Sequence, residues 1–192
     1  LPRGAEGMAT PVFAGSFALN GNGEMTGTLW VEEGGQMAGP ITITNTHSVG
    51  AVHEGTIRWR FENGAADASG YWWSLPVVAE TWDGYLNDIN GFHVRPEHAF
   101  AAIEDARSGP VAEGNVGGGT GMICHDFKGG IGTASRLVGV KSQELVVGVL
   151  VQANYGSRED LMVAGVPVGE EIDEFMPRFR EPARGDGELG SI

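Results

Sequence analysis

Apolar and polar positions change rhythm several times along the chain, and each rhythm predicts an element. Thr28–Glu33 (TLWVEE) and Pro40–Thr44 (PITIT) are short, β-branched or aromatic, and bounded by glycine or proline, which predicts two strands. In the following stretch, NTHSVGAVHEGTIRW, Val49, Val52 and Trp59 recur at helical spacing, and Thr46 or Ser48 is placed to cap that helix. Pro96–Arg107 (PEHAFAAIEDAR) predicts a second helix. Pro96 suits its first turn, Ala99, Phe100 and Ile103 share a face, and Gly109 suits the position just beyond its end. Ile131–Val140 and Leu145–Ala153 flank the polar loop KSQE and predict a β-hairpin. Its second arm, LVVGVLVQA, is apolar on both faces, so helices or another sheet must cover both sides. Strands mixed with covering helices predict a layered α/β or α+β domain. From Glu170 to Gly190 the pattern dissolves into acids, prolines and glycines, an exposed loop leading to Ser191.

Length and composition narrow the class. The 192 residues fit a single domain with a sizeable core, and neither a repeat nor a clean boundary divides them. The longest apolar run, Leu145–Val151, is seven residues, far short of the ~20 that cross a bilayer. A net charge of −13 argues against nucleic acid or an anionic membrane as partner. Cys124 stands alone, so neither a disulfide framework nor a multi-cysteine metal site is expected. A reducing compartment, and with it a cytoplasmic location, is the expectation, with the periplasm left open. Glycine is the outlier: 32 of 192 residues, about 17%, against a usual ~7%. The glycines are clustered without a period, which predicts tight turns and close backbone approaches.

Candidate chemistry falls on a few stretches, each with a plainer reading beside it. EGNVGGGTGM at Glu113–Met122 can aim backbone N–H groups at a phosphate, but it lacks a P-loop's Lys-Ser/Thr ending and a strand-to-helix setting. The plainer reading is a close-packed loop in which Asn115, Gly117, Gly118 and Gly119 line a substrate cleft. KGGIGTASR at Lys128–Arg136 reads the same way. His47, His53, His93, His98 and His125 form no metal-ligand pattern, so no metal is expected. The acids of ETWDGYLND, Glu80–Asp88, suit either acid/base work or the capping of turns. QANYGSRED places Asn154 at the end of the most apolar strand, where an amide can donate to an oxyanion or simply form a turn. A Ser after a Gly, as at Gly190-Ser191, is common and by itself means nothing.

Taken in order, six segments are distinctive: LNGNGEMTG (Leu19–Gly27), ITNTHSVG (Ile43–Gly50), AETWDGYLND (Ala79–Asp88), GNVGGGTGM (Gly114–Met122), FKGGIGTASR (Phe127–Arg136) and GSI (Gly190–Ile192). Together they resemble the DmpA-type peptidases, the L-aminopeptidase/D-esterase and β-peptidyl aminopeptidase family, over nearly the whole chain. The resemblance implies an α+β fold, a four-layer α-β-β-α sandwich, incomplete in this chain. It implies a precursor that cuts itself before a Ser, here between Gly190 and Ser191, into an α and a β portion. This chain then matches most of the α portion, either uncleaved or truncated, with an N-terminal segment and the β portion missing.

The implied function is a self-processing aminopeptidase that releases L-, D- or β-amino acids from short peptides, amides or esters through an acyl-enzyme on Ser191. No cofactor is implied, and the assembly is commonly a tetramer of αβ units. The family's oxyanion Asn maps onto Asn154. Its second donor is a Tyr in the best-known members; alignment puts Trp82 there, with Tyr85 three residues on. Two rival readings remain at this stage: a self-processing amidase or acyltransferase resembling the ornithine acetyltransferases, and a non-enzymatic domain that binds a nucleotide on its Gly-rich loops.

Overall fold

The computed structural model describes residues 1–65 and 67–178. They divide into two compact units, Leu1–Glu80 with Asp88–Gly109, and Thr81–Asn87 with the described residues from Pro110 onward.

In the first unit, β1 (Val12–Phe13) pairs antiparallel with β2 (Gln36–Met37), and α1 (Thr28–Gly34) lies between them in sequence. Next come β3 (Ile41–Asn45) and α2 (Val49–Arg60), and then β4 (Val77–Thr81), which pairs with β3. The unit closes with α3 (Pro96–Glu104). Val77 packs with Val31 and Met37, whereas its neighbour Val78, fully buried, packs with Val52 and Ala99. Successive strand residues point to opposite faces, so β4 is covered on one side by α1 and β2 and on the other by α2 and α3. Burying a side chain such as Val78 stabilises by about 1.5–3 kcal/mol.

Two helices meet closely at Gly55. A Cβ there would lie 2.5 Å from the Pro96 carbonyl oxygen and 2.9 Å from the Ala99 methyl, so α2 and α3 pack as they do only because the side chain is missing. Thr46–Ser48 forms a 3₁₀ turn, and α2 begins at Val49 with no side-chain cap. Thr46 instead gives its hydroxyl proton to the Glu80 carboxylate.

Three expectations are corrected in this unit. Thr28–Glu33 is helical rather than a strand. The segment is bracketed by Gly27 and Gly35, both left-handed (φ 75° and 62°), and Gly35 closes the last turn with an N–H bond to Val31 O. Val31 is its only buried residue, and in two turns a single burial cannot separate a period of 3.6 from one of 2. The helix α3 stops at Glu104, short of Arg107, whose guanidinium bonds the Glu104 carbonyl from outside. Asp105 rather than a glycine follows the last helical residue, so Gly109 lies beyond the cap.

The second unit is built on two hairpins and a short helix. β5 (Ile123–Cys124) and β6 (Phe127–Lys128) are joined by His125 and Asp126, both at positive φ (49° and 57°), as a type I′ turn requires. β7 (Gly130–Val140) and β8 (Gln143–Ala153) pair from Gly130↔Ala153 to Val140↔Gln143. The expected four-residue loop KSQE thus shrinks to Lys141 and Ser142, because Gln143 and Glu144 join the ladder. Along this hairpin Val138, Leu145, Val147 and Val149 share one face and Leu137, Val146 and Leu150 the other, and all seven are exposed. No described residue supplies the expected cover. After β8, α4 (Val168–Glu171) forms a single turn where an open loop was expected to begin, and residues 172–178 follow it as mostly exposed chain.

A candidate oxyanion site in the second unit

The site is best built outward from Asn154. It follows the last residue of β8 and is buried at 6% exposure. Its side-chain oxygen accepts the Ile123 N–H at 3.2 Å. A backbone N–H can only donate, so this bond identifies the oxygen end of the amide and leaves the NH₂ group as its donor end. Among the described residues that NH₂ has no acceptor. The turn reading of this stretch is also realised. Gly156 is left-handed (φ 79°), and a Cβ there would fall 2.5 Å from the His125 ring.

The surrounding backbone is locked by side chains. His125 Nδ1 bonds the Ser157 carbonyl at 2.8 Å, and the His125 ring meets Tyr155 edge-on at 5.2 Å. Arg158, 3% exposed, gives guanidinium bonds to the carbonyls of His125, Asp126, Ile172 and Glu174 and lies 3.5 Å over the Phe127 ring. One cation therefore ties the β5–β6 turn to the chain beyond α4. Cys124 sits in this wall, and burial pushes its thiol above its usual range.

Thr81–Asn87 is a compact turn organised by Asp83. The buried Asp83 accepts from the Leu86 and Asn87 backbone N–H groups at its carbonyl and from Asn87 Nδ2 at its carboxylate, at 2.7 Å. Within the first unit Glu80 is likewise buried, accepting from the Glu24 N–H and the Thr46 hydroxyl. The Glu80 carboxylate thus caps a backbone donor, whereas the Asp83 carboxylate holds the Asn87 side chain. The two candidate second donors differ here. Tyr85 gives its hydroxyl proton to the Arg178 carbonyl at 3.0 Å. Trp82 is half-exposed, its ring lies against Gly84, and its indole N–H has no partner among the described residues.

The Gly-rich stretch forms a 3₁₀ turn, Gly117–Gly121, that opens into β5 and not into a helix. Asn115, Gly117 and Gly118 are exposed and Gly119 is buried, packed where a Cβ would meet the Gly114 carbonyl at 2.5 Å. Lys128 spends its ammonium on the carbonyls of Gly119, Met122 and Gly129, at 2.8, 3.0 and 2.7 Å. A turn that starts no helix, beside a lysine already held by three acceptors, offers a phosphate little. An open groove of about 460 Å³ runs beside it, between Cys124, Phe127 and Lys128 and the base of the β7–β8 hairpin at Gly132 and Val151. Among the described residues no three His, Cys, Asp or Glu side chains are gathered as a metal site would need. Gly190 and Ser191 lie outside the described residues.

The profile of peptidase family S58 matches residues 1–192. The chain belongs to peptidase family S58. This S58 chain is 58% identical over 181 residues to a β-peptidyl aminopeptidase, BapA, of Sphingosinicella microcystinivorans, covering 94% of the chain and 44% of the relative. Among solved structures it resembles the L-aminopeptidase D-Ala-esterase/amidase of Ochrobactrum anthropi, with a TM-score of 0.83 and 51% identity over 87% of this chain and 47% of that one. That enzyme is described as a prototype of the serine aminopeptidases and a variant of the Ntn-hydrolase fold. A Burkholderia β-aminopeptidase is similar at a TM-score of 0.78 and 54% identity, over 85% of this chain and 45% of that one. The S58 chain is therefore α+β, as expected, with the Ntn-hydrolase fold, and spans under half the length of these relatives.

Two features of the S58 chain carried no sequence signal. Arg158 and Gln152 stand in the stretch singled out for Asn154, but nothing in their spacing marks them as the groups that bind its segments together.

Proposed function

We propose that this chain belongs to a self-processing serine aminopeptidase and contributes its oxyanion donors and its self-cleavage bond. The observation that carries the reading is the Asn154 amide, whose oxygen is fixed by Ile123 N–H so that its NH₂ is left to donate. The S58 relatives, one a β-peptidyl aminopeptidase and one an L-aminopeptidase, support the reaction class.

In this reading the Ser191 hydroxyl attacks the Gly190 carbonyl carbon, and the amide becomes an ester as the nitrogen leaves protonated. Water then hydrolyses the ester, leaving Ser191 with a free α-amine of reference pKa about 7.7–8.0, partly neutral near pH 7 and able to act as base for its own hydroxyl. The same oxygen next attacks the first carbonyl of a short peptide, amide or ester. Asn154, with Trp82 as the second donor, stabilises the tetrahedral oxyanion. Trp82 is preferred to Tyr85 because its N–H has no described partner, whereas the Tyr85 hydroxyl is bonded to Arg178. As the tetrahedral intermediate collapses, the substrate's C–N or C–O bond breaks and the amine or alcohol leaves with the proton that the Ser191 α-amine took from its hydroxyl. Water then hydrolyses the acyl-enzyme, frees the N-terminal residue and restores the hydroxyl. The remaining partners of the nucleophile come from the β portion of the same precursor, and αβ units assemble further, as a tetramer.

The test is an intact-mass measurement on the full-length protein beside Ser191→Ala, with hydrolysis of aminoacyl p-nitroanilides as the activity. Two fragments and activity are expected for the wild type, one fragment and none for the variant. A wild type that stays in one piece while hydrolysing these substrates overturns the reading.

A further inference from the structure

Gln152 stands in β8, two residues before Asn154. Its Nε2 donates to the hydroxyl of Thr81, which is 5% exposed and directly precedes Trp82. The same amide lies flat against Gly118. A Cβ there would fall 2.3 Å from Gln152 Oε1 and 2.8 Å from Cδ, and the Gly118 backbone is not in the left-handed region. A methyl at 118 would therefore displace the Gln152 amide, the far end of a flexible side chain, while the backbone conformation there would accept alanine. The Gln152 side chain thus links β8 to two other segments of the second unit, the residue before Trp82 and the Gly-rich turn. None of these contacts is needed to form the β7–β8 ladder, in which Gln152 pairs with Ile131 through its backbone.

We propose that Gln152 is a positioning residue for the oxyanion site: by bonding Thr81 and seating Gly118 it sets the spacing between the Trp82 and Asn154 donors. The inference rests on the oxyanion reading of those two residues. Its physical basis is that such donors act only when held within a fraction of an ångström of the developing charge, and a misplacement of about 1 Å costs up to ~10²-fold in rate. The amide is suited to this because it is neutral and brings no charge near the oxyanion.

The experiment uses the processed full-length enzyme and the variants Gln152→Met, Thr81→Val, their double, and Gly118→Ala. With aminoacyl p-nitroanilides, kcat is expected to fall about tenfold in Gln152→Met and in Thr81→Val while KM stays within about twofold, the double being no worse than either single. Gly118→Ala, which displaces the same amide, is expected to show the same split. A purely structural role would instead lower the thermal midpoint and the folded fraction, leave kcat per folded molecule unchanged, and make the two singles additive; that result overturns the proposal. If Gln152→Met does not fold, Thr81→Val and Gly118→Ala decide the matter by the same criteria. Wild type and Asn154→Asp are run alongside. A wild type that fails to self-cleave, or an Asn154→Asp with unchanged kcat, overturns the oxyanion reading and this proposal with it. An impaired Asn154→Asp beside an unimpaired Gln152→Met overturns the proposal alone.

Discussion

Asn154 makes two separable contributions, and two substitutions take them apart. Its oxygen satisfies the Ile123 N–H at 3.2 Å, and its NH₂ is the proposed oxyanion donor. Asn154→Ala removes both. The part-buried Ile123 N–H then loses its acceptor, which costs about 1–3 kcal/mol of stability, and one oxyanion donor is lost, which costs about 2.7–4 kcal/mol of transition-state stabilisation, or ~10²–10³-fold in kcat. Asn154→Asp keeps an oxygen for Ile123 but puts an anionic oxygen in place of the donor. The aspartate variant is therefore expected to lose at least as much kcat as the alanine variant, through the missing donor and charge repulsion together, while still bonding β5. The assay pairs urea unfolding with kcat on aminoacyl p-nitroanilides in the full-length enzyme, with kcat corrected for the folded fraction. An aspartate variant turning over within about threefold of wild type would refute the argument, because no N–H would then be donating from that position in the transition state.

Two further outcomes test the packing. Gly55→Ala gains about 1 kcal/mol of helix propensity but drives a methyl to 2.5 Å from the backbone oxygen of Pro96, an overpacking cost of about 1–3 kcal/mol, so a net loss of up to about 2 kcal/mol is expected in chemical denaturation. A rise in stability would mean that α2 and α3 separate freely. Arg158→Met leaves the carbonyls of His125, Asp126, Ile172 and Glu174 short of a donor, and at about 1–3 kcal/mol for each buried group left unpaired the total loss is expected to exceed about 3 kcal/mol. Arg158→Lys should recover only part of it, since an ammonium cannot span the same fork; full recovery by lysine in the same denaturation experiment would contradict that account.

Local pattern was enough for elements whose signal repeats or whose ends are punctuated. The helix at Pro96, the strand at Ile41 and the long hairpin were all legible, because proline at a first turn, β-branched runs and two apolar arms around a polar loop act through neighbours in sequence. Six ordered segments likewise carried the family, and the resemblance mapped its oxyanion Asn onto Asn154 without showing which end of the amide is left to donate. What sequence alone could not decide depends on groups far apart in the chain. Whether Thr28–Gly34 coils or extends turned on the burial of Val31 against Met37 and the distant Val77. That Glu80 is a hydrogen-bonded cap followed from Glu24 and Thr46 arriving beside it. The joining of Thr81, Gly118 and Gln152 arises only when strands and turns are packed, since an amide's reach of a few ångströms leaves no periodic trace in the sequence.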